Sequence, residues 1–299
     1  MRRIVPWSPA VLLILFLTFP AATSEMVVAP VPPRPRVPGK LLLHARERKP
    51  VKPGADVVQA SERNLEWDVA ETAIIICDMW DDGYCKLAVQ RVGIMVPRMN
   101  QVVSAARSHG VMVIHSPSNT MNMYADSPHR RLMKQAKPAQ PPVPILAACR
   151  LDKSKEPPLP VDTSKCACDD PVVATFVPTY SRQHPGLDIV GYDGISDSGQ
   201  EMYNFFEQEG IKNVVMMGVH ANMCVLERSF GIRQWERLKK NVVLVRDLTD
   251  AMYDPRQPPY VSHARGTELV IEHIERYWCP SILAEDLTRV VPGSAGPSR

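Results

Sequence analysis

A chain of 299 residues that is 45% hydrophobic and 22% charged has the proportions of a globular protein with one main domain and appendages. Its 35 basic and 32 acidic side chains leave a formal charge of +3 with no long basic run in the body, which argues against a nucleic-acid footprint. A small molecule, not a polyanion, is the partner to expect.

In chain order, MRRIVPWSPAVLLILFLTFPAATSE sets Arg2 and Arg3 ahead of a short apolar stretch from Ala10 to Phe19 and the small residues Ala22, Thr23 and Ser24. This is the layout of a secretory signal peptide, with an apolar part too short for a membrane span of about 20 residues. Residues 1–24 are expected to be cleaved near Ser24, leaving a secreted or periplasmic body without stable membrane insertion; an uncleaved anchor is the alternative. Closely spaced prolines in EMVVAPVPPRPRVPGK and the absence of apolar periodicity predict an extended linker over residues 25–64. The domain is expected to span 65–285.

Within it, TAIIICDMW, GVMVIHSPS, NVVMMGV and NVVLVRDLT are short continuous apolar runs, the pattern of strands covered on both faces. Helix patterns lie between them. Val92, Val96, Met99, Val103 and Ala106 recur at helical spacing before Gly110, with Pro97 implying a kink or a second start. SDSGQEMYNFFEQEG offers Ser196 or Asp197 as N-cap and Gly210 as stop. CVLERSFGIRQWERL and GTELVIEHIERYW complete the series, and the tail 286–299 reads as disordered. Alternating strands and helices predict an α/β layer fold on a parallel sheet.

Seven cysteines in an exported chain call for a redox reading, and an odd number leaves at least one thiol free within the chain. Cys149, Cys166 and Cys168 cluster in a proline-rich insert over residues 138–171, where a stapling disulfide of open connectivity is expected, with free or metal-bound thiols as the alternative because Cys-x-Cys alone lacks the remaining metal ligands. Cys77, inside AIIIC, reads as a core thiol.

Ligands of an open parallel sheet bind beyond the carboxyl ends of its strands, so the polar residues that follow the apolar runs carry the functional question. They are Asp78, His115 and the turn GVHANMC with Cys224. At the head of a helix Cys224 would meet unsatisfied N–H groups that favour a thiolate and could hold an oxyanion. By itself a cysteine is more often a small buried residue, and an aspartate more often a cap. Their coincidence at one sheet edge shifts the reading towards nucleophile and base.

AIIICDMWDD and GVHANMCVLERSFG resemble the isochorismatase-like cysteine hydrolases, the superfamily of nicotinamidases, N-carbamoylsarcosine amidases and isochorismatases, from about Thr72 to about Asp250. The resemblance implies a three-layer, Rossmann-like arrangement with a six-stranded, mostly parallel sheet and helices on both faces. It further implies an Asp, Lys and Cys triad, with Asp78 as base, Cys224 as nucleophile, and a cis peptide between Val219 and His220 that aims an N–H at the oxyanion. No lysine stands where the family has one. The corresponding stretch, FVPTYSRQHPGLDI, offers Arg182 as stand-in and His184 as rival. Trp80, Tyr124 and Tyr180 are candidate pocket walls. Some nicotinamidases hold a metal, but His115, Asp126 and His129 are too loosely spaced here to assign one, and no cofactor is expected.

The reading that follows is a cysteine hydrolase cleaving a C–N bond of a small amide or ureide through a thioester, in a chain that could form a homo-oligomer. A non-catalytic binding module on the same fold, with the 138–171 insert as a lid over the pocket, is the alternative. A thiol oxidoreductase using Cys166 and Cys168 lacks the Cys-x-x-Cys that such proteins place before a helix.

Overall fold

The computed structural model describes residues 29–52, 57–172 and 175–292, so the expected signal peptide lies outside the described residues. The described chain opens with an antiparallel hairpin, β1 (Gly39–Pro50) and β2 (Val58–Asp68), paired from Lys40 opposite Asp68 to Pro50 opposite Val58. β1 alternates strictly: Leu41, Leu43 and Ala45 are fully buried, whereas Lys40, Leu42 and His44 face outward. The linker expected over 25–64 therefore contains two strands, and the folded unit starts well before Leu65.

β3 (Thr72–Cys77), α1 (Lys86–Ser108), β4 (Met112–Ser116), α2 (Pro128–Lys134) and β5 (Gly194–Ile195) come next. They are followed by α3 (Gly199–Glu209), β6 (Asn213–Val219), α4 (Cys224–Glu227), α5 (Ile232–Arg237) and β7 (Asn241–Asp250). The chain closes with α6 (His263–Tyr277), β8 (Ser281–Ile282) and β9 (Val290–Pro292). Among the described residues one sheet of nine strands results, in the order β2-β1-β8-β7-β6-β3-β4-β5, with β9 also paired to β1. The expected count of six is corrected to nine. The run from β8 to β5 is parallel throughout, and the additions are the antiparallel β1, β2 and β9. β9 and the 3-10 turn Ala284–Leu287 also give structure to the start of the tail expected to be disordered.

Alternate side chains of β3 enter two separate cores, because successive residues of a strand point to opposite faces. Ala73, Ile75 and Cys77 join Phe205, Phe206, Trp235, Val270 and Ile274 of α3, α5 and α6. Ile74 and Ile76 join Val92, Val96, Met99 and Val103 of α1 together with Leu41 and Leu43 of β1. That double burial is why the parallel strands read as unbroken apolar runs. Among the described residues no helix is long and apolar enough to cross a membrane.

Local chemistry sets the helix ends. α1 continues through Pro97 as one helix. α3 is capped by Ser198, not Ser196 or Asp197; its hydroxyl accepts from the Glu201 N–H, while Ser196 Oγ bonds the Glu201 carboxylate at 2.6 Å. Ser198→Ala should therefore cost about 1 kcal/mol, read as a lower urea midpoint, and Ser196→Ala should not reproduce that loss by way of the cap. Gly210 stops α3 in the left-handed region at φ 68°. The single helix expected from Cys224 to Leu238 is two, since Arg228 leaves helical geometry at ψ 158° and the chain restarts after Gly231.

Candidate active site

Two strand ends build the site. β6 lies so close to β3 at Gly218 that a Cβ there would come 2.1 Å from the Cys77 carbonyl oxygen, and Gly218 has φ 103°, so only glycine fits. Beyond it the Val219–His220 peptide is cis. The following turn is tied down on β7: Ala221 N–H donates to the Asp250 carbonyl at 2.8 Å, and the Asn222 side chain exchanges two 2.9 Å hydrogen bonds with the Met252 backbone. Met223 and Val225 N–H groups both donate to the His220 carbonyl, which brings Cys224 to the head of α4.

Asp78 immediately follows β3 with φ 49°, a left-handed conformation held by its N–H donating to the Ser116 carbonyl at 3.0 Å. Its carboxylate is fully buried: Oδ1 accepts from Ser118 N–H at 2.8 Å, and Oδ2 accepts from Arg228 Nε at 3.2 Å and Nη2 at 3.1 Å. Cys224 lines the same cavity as Asp78 and Arg228, near enough for both charges to act on its thiol. Arg228, four residues after Cys224 and so on the same side of the helical turn, is the cation that sequence reasoning missed. Its backbone is held by an antiparallel bridge to Ala148 of the insert.

Arg182 does not join this group. Residues Trp80 and Gln183 form a bridge, Asp81 N–H donates to the Arg182 carbonyl at 3.0 Å, and His184 N–H donates to the Met79 carbonyl at 2.7 Å. In such an extended segment side chains alternate, so buried Gln183 reaches His115 and exposed Arg182 points away. His184 lies against Gly93 of α1, and its Nδ1 accepts from Gly186 N–H.

The electrostatics run opposite to the thiolate expectation. Burial, and then the adjacent Asp78 charge, push the Cys224 thiol well up, although Arg228 opposes them. Burial also raises Asp78, against the pull of Arg228 and the hydrogen bonds from Cys224 and Ser118. α4 is a single turn of four residues, too short for its dipole to outweigh desolvation. Both influences, burial and the Asp78 charge, favour the protonated thiol of Cys224 over the thiolate. Iodoacetamide should accordingly label Cys224 slowly between pH 6 and 8 and faster above, as followed by peptide mass mapping. Rapid labelling at pH 6 would contradict this.

A cavity of about 270 Å³ opens over the group, with Asp78, Cys224 and Arg228 among its lining residues. Trp80 and Tyr180 form one wall, stacked at 4.4 Å between centroids and 12° between planes, with Trp80 Nε1 anchored on the Ser118 carbonyl at 3.1 Å. Tyr84, Phe176, Val92 and Val219 make the rest largely apolar. His220 also lines it; burial lowers its pKa to about 4, so the ring is neutral, and its buried Nε2 has no partner among the described residues. Tyr124 is elsewhere, its hydroxyl accepting from Gln183 N–H at 2.8 Å.

The 138–171 insert contributes no lining residue, so it is not the expected lid; Phe176, Val177, Pro178 and Tyr180, just after it, are at the cavity. All seven cysteines are free, and the expected staple among Cys149, Cys166 and Cys168 is not formed. Cys149 instead donates its N–H to the Glu227 carbonyl, and Glu156 anchors the insert beneath α5 and α6. His115 is a fully buried residue bonded to Gln183 and Asp193, His129 binds the Asp193 carbonyl, and Asp126 is exposed. Among the described residues the convergent donor set is a different one, Cys85, Cys168 and Asp170, whose ligand atoms lie within 4.8 Å of one another.

A comparison with curated proteins gives no match. Among solved structures, a cysteine hydrolase from Pseudomonas syringae pv. phaseolicola is similar at 17% identity and TM-score 0.46, over 75% of this chain and 93% of that one. An isochorismatase-like hydrolase from Alkaliphilus metalliredigens is similar at 15% identity and TM-score 0.42, over 73% and 96%. An isochorismatase family protein from Burkholderia thailandensis is similar at 16% identity and TM-score 0.41, over 73% and 93%. Residues 72–265, which include both strand ends and all three grouped side chains, match the family model described as the Isochorismatase domain, and the chain belongs to that hydrolase family.

Proposed function

We propose that this protein is a cysteine hydrolase that cleaves the C–N bond of a small amide or ureide, with Asp78, Cys224 and Arg228 as its reacting group. The observation that carries the reading is the meeting of a buried carboxylate, a thiol and a guanidinium at the floor of one cavity. As the sulfur attacks the carbonyl carbon, its proton moves to Asp78, whose raised pKa suits it to accept one. The amine then leaves with that proton as the C–N bond breaks. Asp78 next takes a proton from water; the water oxygen attacks the thioester, the C–S bond breaks, and the thiol is restored. Arg228 keeps the carboxylate anionic between these steps and supplies the positive charge that the resemblance assigns to lysine.

The walls support a reading of the substrate class. A stacked Trp80–Tyr180 pair, Tyr84 and Phe176 suit a flat or apolar acyl part. Ammonia or amine release across a panel of aromatic and aliphatic amides and ureides tests the proposal, with the Cys224→Ala protein as control. No release above that control from any member would leave the binding-module reading, which the unionised thiol and the Asp78–Arg228 ion pair favour. On the strength of the leader-like N-terminus we also propose that the body works outside the cytoplasm, which N-terminal sequencing of the exported protein would check.

A further inference from the structure

We infer that Cys85 and Cys168 are a dithiol that closes to a disulfide under a hydroperoxide oxidant and fastens the end of the insert to the cavity wall. Neither thiol is used in the proposed hydrolysis, and the inference stands independently of it. The two side chains are 2% and 0% exposed, and their sulfur atoms lie within 4.8 Å of each other. They share a small core with Ala88, Ala167 and Met252.

The backbone on both sides is already fixed. Cys85 is the residue before α1, and the Asp170 carboxylate accepts from the first N–H groups of that helix, Lys86 at 2.8 Å and Leu87 at 2.9 Å. Arg91 holds Asp169 through two bonds of 2.8 and 3.0 Å, and Arg256 Nη2 donates to the carbonyls of Cys168 and Asp170. Between these held backbones, a sulfur gap of at most 4.8 Å has to close to a bonded distance of about 2.05 Å. A metal is the lesser reading of the same cluster. The cluster offers three donors, Cys85, Cys168 and Asp170, where a structural zinc takes about four ligands.

Cys85 lines the cavity, so a molecule as small as hydrogen peroxide reaches it from there. Burial holds both thiols above their ordinary range, so Cys85 gives up its proton only as it reacts: its sulfur attacks one peroxide oxygen, the O–O bond breaks, and a sulfenic acid and hydroxide form. The Cys168 sulfur, losing its proton in turn, then attacks the sulfenic sulfur, the S–O bond breaks, and a second hydroxide leaves. The two protons lost by the thiols convert both hydroxides to water, and two electrons have passed from sulfur to peroxide.

The experiment treats the reduced full-length chain with hydrogen peroxide, blocks remaining thiols under denaturing conditions, and maps non-reduced peptides by mass. The expected result is a Cys85–Cys168 cross-link, loss of two hydrogens from that pair, and a Tm higher by about 5–10 °C that dithiothreitol reverses. Cys85→Ser and Cys168→Ser should each abolish the rise, and mapping of the unaltered chain decides the pairing even if a variant folds poorly. A cross-link through exposed Cys166, oxidation of Cys85 that stops at sulfinic acid, or thiols protected by a metal and freed by a chelator would each overturn the inference.

Discussion

Asp78→Asn is expected to lower kcat/KM for amide cleavage by about 10²- to 10⁴-fold while leaving the fold intact, because the amide keeps the shape and the Ser118 contact but cannot take the proton of Cys224. The loss should be larger here than for a cysteine that ionises unaided, since burial and the neighbouring carboxylate keep Cys224 protonated. Cys224→Ala should fall to the uncatalysed rate, and the double variant should be no worse than Cys224→Ala, as expected of groups that act as one unit. Arg228 separates charge from shape. Arg228→Lys, which keeps the cation but loses the fork on Oδ2, should retain more activity than Arg228→Ala. Removing Arg228 leaves a fully buried carboxylate unpaired, so its Ala variant should also shift the acid limb of the pH–rate profile upward. Arg182→Ala should do neither. If Arg182→Ala abolished turnover and Arg228→Ala did not, the assignment of the cation would be reversed.

Glu156→Ala is expected to destabilise the protein by about 3–5 kcal/mol, the cost of leaving a buried charge without its partner. Glu156, 3% exposed, joins Arg233 Nη2 at 2.7 Å, His273 Nε2 at 2.7 Å and Trp278 Nε1 at 2.7 Å. Arg233 is fully buried, with Glu227 at 3.1 Å as its other carboxylate. Despite burial, the hydrogen bonds from His273, Trp278 and Arg233 bring the Glu156 carboxyl down to about 2 from an ordinary 4.5. A depressed folded-state pKa gives stability that is present above 4.5 and is lost as pH falls from there through about 2. Urea midpoints at pH 7, 5 and 3 should show the unaltered protein losing this contribution on acidification, and Glu156→Ala should lack that part of the slope. A change below about 1 kcal/mol at pH 7 would mean that the insert is not anchored through this residue.

Which parts were legible follows from how each residue is constrained. β3, β4, β6 and β7 could be read because burial on both faces requires apolar residues at every position, a signal carried in the run itself. β1 could not. Its period-two pattern of Leu41, Leu43 and Ala45 is masked by outward Leu42 in the same LLL run, and its proline-rich approach resembles a tether. β2 is mostly exposed, so no apolar pattern marks it at all. The cut between α4 and α5 was hidden because CVLERSFGIRQWERL keeps helical spacing across a backbone break.

The sequence alone determined that an α/β sheet would present Asp78 and Cys224 at the carboxyl ends of its strands, since an apolar run followed by a polar residue is a local pattern. Tertiary structure decided which cation meets them and whether the sulfur is charged. Arg182 and Arg228 are equally basic on paper, but a reversed extended segment turns one outward, and the turn after Cys224 lays the other on Oδ2. The proton stays on Cys224 because desolvation accumulates from every element packed around the thiol, and no stretch of chain around residue 224 encodes that sum.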